Sequence, residues 1–298
     1  MPSFSEFGLA EPLLRALADE KYETPTPIQS KVLPVAITGQ DVIGIAQTGT
    51  GKTAAFALPI LHRLATKRMP PERKSCRALV LSPTRELSGQ ILASFRTYGR
   101  HLRISTALAI GGVSMGGQVR ALLDGVDVLI ATPGRLLDLM QSNALRLNRV
   151  EFLVLDEADR MLDMGFIRDI RKIVAKAPAD RQTLLFSATM PPEIAALARE
   201  MLRNPAKMTA APSGATAERV AQHLIHVERA SKPVVLAEIL TREAPACAIV
   251  FTRTKHGADK IVRISKRPAS TPMRSMATNR KISARACSRR FVRARSAP

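Results

Sequence analysis

Short apolar runs recur along the first two thirds of the chain, at 41–45, 77–81, 104–110, 126–130, 151–155 and 183–186. They carry apolar residues at successive positions rather than at every second one, the pattern of strands buried on both faces. Between them lie longer stretches with apolar residues at helical spacing, such as 51–64. Regular alternation of this kind predicts an α/β fold, a parallel sheet with helices on both faces. Ahead of the first strand, Leu13, Leu14 and Leu17 with Pro12 in the first turn predict a helix over 11–19. Thr24-Pro25-Thr26-Pro27 breaks the pattern, and a second helix is expected over 28–37.

Further on the pattern changes. Residues 1–210 read as one domain. Residues 211–219, rich in Ala, Pro, Ser and Gly, read as a linker. Beyond it, 220–227 and 246–251 read as strands and 231–240 as a helix, the start of a second domain over 220–263. A further helix is expected over 255–263. From 264 to 298 apolar periodicity is lost.

Charge sharpens the division. The 298 residues contain 45 Lys and Arg against 25 Asp and Glu, a net charge of +20. Ten of those cations follow Ser265, where no acid occurs, leaving about +10 on the body. The excess points to a polyanionic partner such as nucleic acid, less forcefully than the total suggests. Cys76, Cys247 and Cys287 have no metal or redox spacing, so a reducing cytoplasmic setting without disulfides is expected. No apolar run reaches membrane length, and the first residues lack the basic start and apolar core of a signal peptide.

The chemistry concentrates after the first strand. Ala46-Gln47-Thr48-Gly49-Thr50-Gly51-Lys52-Thr53 lies between that strand and a helix, the context that a phosphate-binding loop requires. Gly49 and Gly51 let backbone N–H groups and the helix N-terminus face a triphosphate. Lys52 would reach its β- and γ-phosphates, and the Thr53 hydroxyl would ligate Mg²⁺. The strict pattern has Gly where this chain has Ala46. Asp156, at the end of another strand, can hold the same Mg²⁺, and Glu157 can orient an attacking water.

Each later strand also ends in a short polar signature: Pro83-Thr84-Arg85-Glu86-Leu87, Gly111-Gly112, Thr132-Pro133-Gly134-Arg135, Asp156-Glu157-Ala158-Asp159 and Ser187-Ala188-Thr189. With these in order, the chain resembles the DEAD-box RNA helicases over roughly residues 4–263, and in spelling their bacterial RhlE-type subgroup. The resemblance implies a RecA-like P-loop NTPase domain that uses ATP and Mg²⁺. It implies that Asp159, Ser187 and Thr189 link nucleotide state to RNA grip. Thr24 and Gln29 match the family's adenine-recognition motif, with Phe4 upstream to stack on the base and Lys21 where the family usually has Gly. RNA would be held through its backbone by Pro83, Thr84, Arg85, Gly111, Gly112, Thr132, Pro133, Gly134 and Arg135, so without sequence preference. Thr252 and Arg253 match the fourth helicase motif of the second domain. A monomer is expected, and partners in ribosome assembly or RNA degradation fit the family without a residue here that selects one.

After Arg263 the resemblance stops. The Arg-Gly-Asp and His-Arg-x-Gly-Arg-x-Gly-Arg motifs of the family's second lobe do not occur in the 298 residues. Back-translated with suitable codons and read in the neighbouring frame, the tail resembles what the family has next. One nucleotide is therefore expected to be missing near codon 263, in the gene or in its sequencing, and the tail as written to be disordered. The chain as it stands is expected to bind nucleotide weakly, to hydrolyse little and not to unwind. Two other readings remain open, a non-catalytic RNA-binding fragment and an unstable product of a broken gene.

Overall fold

The computed structural model describes residues 3–210, 221, 223–254, 256–258 and 261. It divides into two compact units, 1–216 and 217–298.

The first unit opens with a 3-10 turn, Phe4–Phe7, followed by α1 (Glu11–Asp19) and α2 (Pro27–Ile37). The sheet and its crossover helices then alternate: β1 (Val42–Ile45), α3 (Lys52–Thr66), β2 (Cys76–Leu81), α4 (Arg85–Tyr98), β3 (Thr106–Ala109), α5 (Met115–Leu122), β4 (Val126–Ala131) and α6 (Pro133–Gln141). They continue with β5 (Phe152–Leu155), α7 (Ala158–Asp163), α8 (Ile167–Val174), β6 (Gln182–Ser187), α9 (Pro192–Met201) and β7 (Ala206–Thr209). All strand pairs are parallel, in the order β3-β4-β2-β5-β6-β1-β7. This is the RecA-like α/β architecture.

Successive residues of a strand face opposite sides, so the central strands feed two separate cores. Val80, Val128, Val154 and Phe186 join the apolar cluster under α1–α4. Leu79, Leu129, Leu153 and Leu185 join the cluster under α5–α9. On the first side Phe56 of α3 packs against Phe95 of α4 and Phe186 of β6, with ring centroids 6.2 and 5.4 Å apart. Burial on both faces explains why these strands read as unbroken apolar runs.

At the amino ends of the strands polar side chains replace the missing ladder. Asp41 accepts from the N–H groups of Thr183 (2.8 Å) and Arg203 (2.7 Å). Gln182 donates to the carbonyls of Ala36 (2.9 Å) and Gln40 (2.7 Å). These bonds fix β1, β6 and the chain entering β7 in register.

Two features depart from the sequence expectation. β7 was not foreseen: Ala206-Lys207-Met208-Thr209 is an edge strand with alternate residues exposed and no β-branched run. In the second unit, described residues of 223–227 and 246–251 form no strand. Leu224, Ile225, Ile249 and Phe251 are exposed there, and α10 (Lys232–Glu243) buries no residue. Apolar runs become strands only where neighbours complete their hydrogen bonds, and the described residues of this unit supply no ladder. The tail 264–298 and the linker 211–219 lie outside the described residues, as do Lys255 and most of 259–263.

Candidate functional site

The loop 46–53 leaves the carboxyl end of β1 with the Ala46 N–H donating to the Ser187 carbonyl of β6 at 3.0 Å. Gly49 and Gly51 sit at φ 85 and 90, in the left-handed region that favours glycine. Gly51 is the N-cap of α3 and Lys52 its first residue. Lys52 is only 6% exposed, and its Nζ has no hydrogen-bond partner among the described residues. A buried ammonium without an acceptor is unfavourable, and the free N–H groups of the helix terminus surround the same place. The arrangement fits a polyanion. Thr53 is half-buried in the same turn, and Thr50 closes the loop by donating to the Gln47 carbonyl at 2.7 Å.

Asp156 and Glu157 come from the end of β5, both buried. Burial pushes the Asp156 carboxyl up to about 6, a rise that the Lys52 charge opposes and the Glu157 charge reinforces. Glu157 has φ 54 and caps α7, a backbone conformation that turns it back towards the phosphate loop. The Thr48 hydroxyl donates to its Oε1 at 3.4 Å, and Arg160 donates to its Oε2 at 3.2 Å. Asp159 ties α7 to the end of β6. Its Oδ2 accepts from the Thr189 hydroxyl (2.9 Å) and from the N–H groups of Thr189 (2.8 Å) and Ala188 (3.2 Å), while its own N–H donates to Ser187 Oγ (3.1 Å). Burial acts to raise the Asp159 carboxyl, but the Thr189 hydroxyl and N–H and the Ser187 hydroxyl bring it below its ordinary value.

The neighbouring half of the same edge is built differently. Thr84 Oγ1 caps α4 by accepting from the Leu87 N–H at 3.2 Å, and Arg85 follows it, exposed. The Arg85 guanidinium lies against Gly111 and Gly112, so that a Cβ on Gly112 would overlap it. Gly112 also has φ 71. From the end of β4, Thr132 donates its N–H to Ala109 at 3.0 Å and Pro133 starts α6. Arg135 donates to the Val113 carbonyl at 3.1 Å, and Gly134 has open space beside it.

The DEAD/DEAH box helicase pattern matches residues 26–197. The chain belongs to the DEAD/DEAH box helicase family. It is 43% identical over 257 residues to RNA helicase CrhR of Synechocystis, an alignment that covers 86% of this chain and 51% of that protein. It is 42% identical over 266 residues to ATP-dependent RNA helicase CshA of Listeria monocytogenes, covering 88% and 50%. It is 42% identical over 260 residues to DEAD-box ATP-dependent RNA helicase RhpA of Helicobacter pylori, covering 87% and 52%. The chain thus spans about half the length of each of these relatives.

Strand order sorts the helicase signatures of unit 1 into two groups. Lys52, Thr53, Asp156, Glu157, Ser187 and Thr189 lie at the carboxyl ends of β1, β5 and β6, which are adjacent. Pro83, Thr84, Arg85, Gly111, Gly112 and Thr132–Arg135 lie at those of β2, β4 and β3, also adjacent. Thr252 and Arg253 belong to the second unit, where the Thr252 hydroxyl donates to the Thr254 carbonyl at 2.9 Å.

The glutamine segment lies against the phosphate loop. Gln29 is fully buried, accepting from the Thr26 N–H at 2.8 Å and donating to the Gly51 carbonyl at 3.0 Å. It props the phosphate loop from behind. Phe4 is 4% exposed, packed against Phe7 and Tyr22 with centroids 6.4 and 6.5 Å away. Thr24 is exposed. The Glu157–Arg160 pair went unread, although its spacing of three on a helix was a usable signal.

Proposed function

We propose that unit 1 is the ATP- and RNA-binding half of an ATP-dependent RNA helicase. The observation that carries this is Lys52, buried without an acceptor among the described residues at the start of α3 and close enough for its charge to oppose the burial-driven rise of the Asp156 pKa. Residues 1–210 would be the ATP-binding RecA-like domain, 211–219 the linker and 220–263 the beginning of a second RecA-like domain. The RhlE-like spelling assigns the subgroup. No described helix is long and apolar enough to cross a membrane, and we place the protein in the cytoplasm as a monomer.

In this reading Lys52 and the α3 N-terminus bind the phosphates. Among the described residues no cluster of three His, Cys, Asp or Glu could hold a metal unaided. One carboxylate and one hydroxyl, Asp156 and Thr53, nevertheless suit Mg²⁺, which takes few protein ligands and completes its shell with phosphate oxygens and water. Bound there, the ion would neutralise charge between the β- and γ-phosphates. Glu157 would orient the attacking water, held meanwhile by Thr48 and Arg160. Asp159 would pass the state of this site to Ser187–Thr189. Arg85, Arg135 and the Gly111–Gly112 backbone would grip the RNA backbone. The arginines of the family's second lobe are absent from residues 1–298, and such arginines are worth roughly 10³ to 10⁵ in rate. These residues alone should therefore bind ATP while hydrolysing it slowly.

Titration of the 298-residue chain with a fluorescent ATP analogue tests this. Saturable, Mg²⁺-dependent binding is expected, weakened about 10- to 100-fold by Lys52→Ala. Binding unchanged by that substitution would overturn the site. RNA binding indifferent both to ATP and to Glu157→Gln would favour a non-catalytic RNA-gripping role instead.

A further inference from the structure

A second cavity lies at the opposite edge of the sheet, at the amino ends of β2, β5 and β6. Its volume is about 490 Å³, within the range of small-ligand sites. Arg63 and Lys67 reach it from α3, Arg77 from β2, and Arg181 and Gln182 from the turn into β6. None of these residues belongs to the helicase signatures.

The arginines around it are not equivalent. Arg77 is neutralised by Glu151 (2.7 Å) and Asp127 (3.7 Å), and Arg149 pairs with Glu72 (2.5 Å). Arg63 and Arg181 have no carboxylate within ion-pair distance among the described residues. Arg63 donates to Gln182 Oε1 at 2.8 Å and lies 4.8 Å from the Phe152 ring centroid. Arg181 is 8% exposed, donates to the Pro178 carbonyl at 2.6 Å, and keeps a buried Nε with no partner. Burial lowers the pKa of both guanidinium groups, and the Arg203 charge adds to this at Arg181. Glu151 opposes it at Arg63 and Asp41 at Arg181, but Glu151 is paired with Arg77 and both Asp41 oxygens are already used by backbone N–H groups. Asp180, exposed at the rim, is the one lining acid outside these pairs. Guanidinium groups at least partly withdrawn from water and without an ion-pair partner are unfavourable, and their planar forks match phosphate oxygens. Met69, Pro70, Pro71, Val150 and Pro178 give the cavity an apolar wall, with Gly39 and the Asn148 amide beside them.

We propose that this cavity binds a small organic phosphate, its phosphate on Arg63 and Arg181 and its organic part along Met69, Pro70 and Val150. Lys67, exposed at the mouth, draws the anion in. The site is separate from the phosphate loop and does not depend on the helicase reading.

Side-chain Nε–Hε resonances of Arg63 and Arg181 report on it directly, in the full chain, during titration with ribose 5-phosphate, inorganic phosphate and ribose. Ribose 5-phosphate should shift both signals saturably, several-fold more tightly than inorganic phosphate, and ribose should not shift them. Arg181→Gln should weaken binding about 10-fold or more. Lys67→Glu, on the surface, should weaken it without touching the packing. The response should persist in Lys52→Ala protein. Absence of a saturable shift, equal affinity for inorganic phosphate, or loss of the response in Lys52→Ala protein would each overturn the proposal.

Discussion

Lys21 holds a left-handed backbone, φ 57, at the point where α1 gives way to the glutamine segment. The family usually places glycine there, and the conformation supplies the reason, since a Cβ is disfavoured in that region. Lys21→Gly should stabilise the chain by about 0.5 to 1 kcal/mol, read as a rise in the denaturation midpoint with unchanged slope. Cys76 makes a different residue-level point. It is buried at the start of β2, and burial pushes its thiol from 9.0 up to about 12. A pKa raised by folding adds stability that is whole below pH 9 and is lost as pH rises through 12. Alkaline unfolding should steepen in that window, and Cys76→Ala should flatten it. Below pH 9, mass-spectrometric mapping should find exposed Cys247 modified quickly by a thiol reagent and Cys76 only at the rate of global unfolding.

Among elements, the contact between the start of α4 and the end of β3 offers the sharpest test. Arg85 lies over Gly111 and Gly112, and Gly112 combines positive φ with no room for a side chain. Gly112→Ala should displace Arg85 and so reproduce Arg85→Ala in RNA affinity, each lowering the salt dependence by about one unit of slope. Ribose-backbone binding measured at several salt concentrations checks this. A Gly112→Ala protein with wild-type affinity would mean that Arg85 is not positioned by the glycines. The strands framing this contact were legible in the sequence because burial on both faces leaves apolar runs at 78–81 and 128–130. β7 was illegible because only one of its sides is covered, so Ala206-Lys207-Met208-Thr209 has no such run. The reverse error came at 246–251, where an apolar run lacks a neighbouring ladder. The site shows the same limit. Lys52, Asp156 and Glu157 stand out through their local context, whereas the bond from Gln29 to the Gly51 carbonyl joins residues far apart in sequence.

At the scale of the molecule, the described residues that build the sheet and its two flanking cores lie before residue 211. Among the described residues, the two apolar clusters flanking the sheet draw on residues from Phe4 to Ala210. The last strand, β7, ends at Thr209, and the Ala210 N–H closes onto the Ile45 carbonyl at 3.0 Å. In the second unit α10 buries nothing, and Val234 and Phe251 are 67% and 89% exposed. Stability follows buried apolar area, so removal of residues 211–298 should leave the unfolding temperature of unit 1 within about 2 °C of that of the full chain. Affinity for an ATP analogue should be retained, while salt-sensitive affinity for RNA should fall, because the stretch after Ser265, removed with the rest, has ten cations and no acid. Scanning calorimetry of the two proteins decides the first point. A loss of more than about 5 °C would mean that residues past Ala210 pack on the sheet and share in its stability.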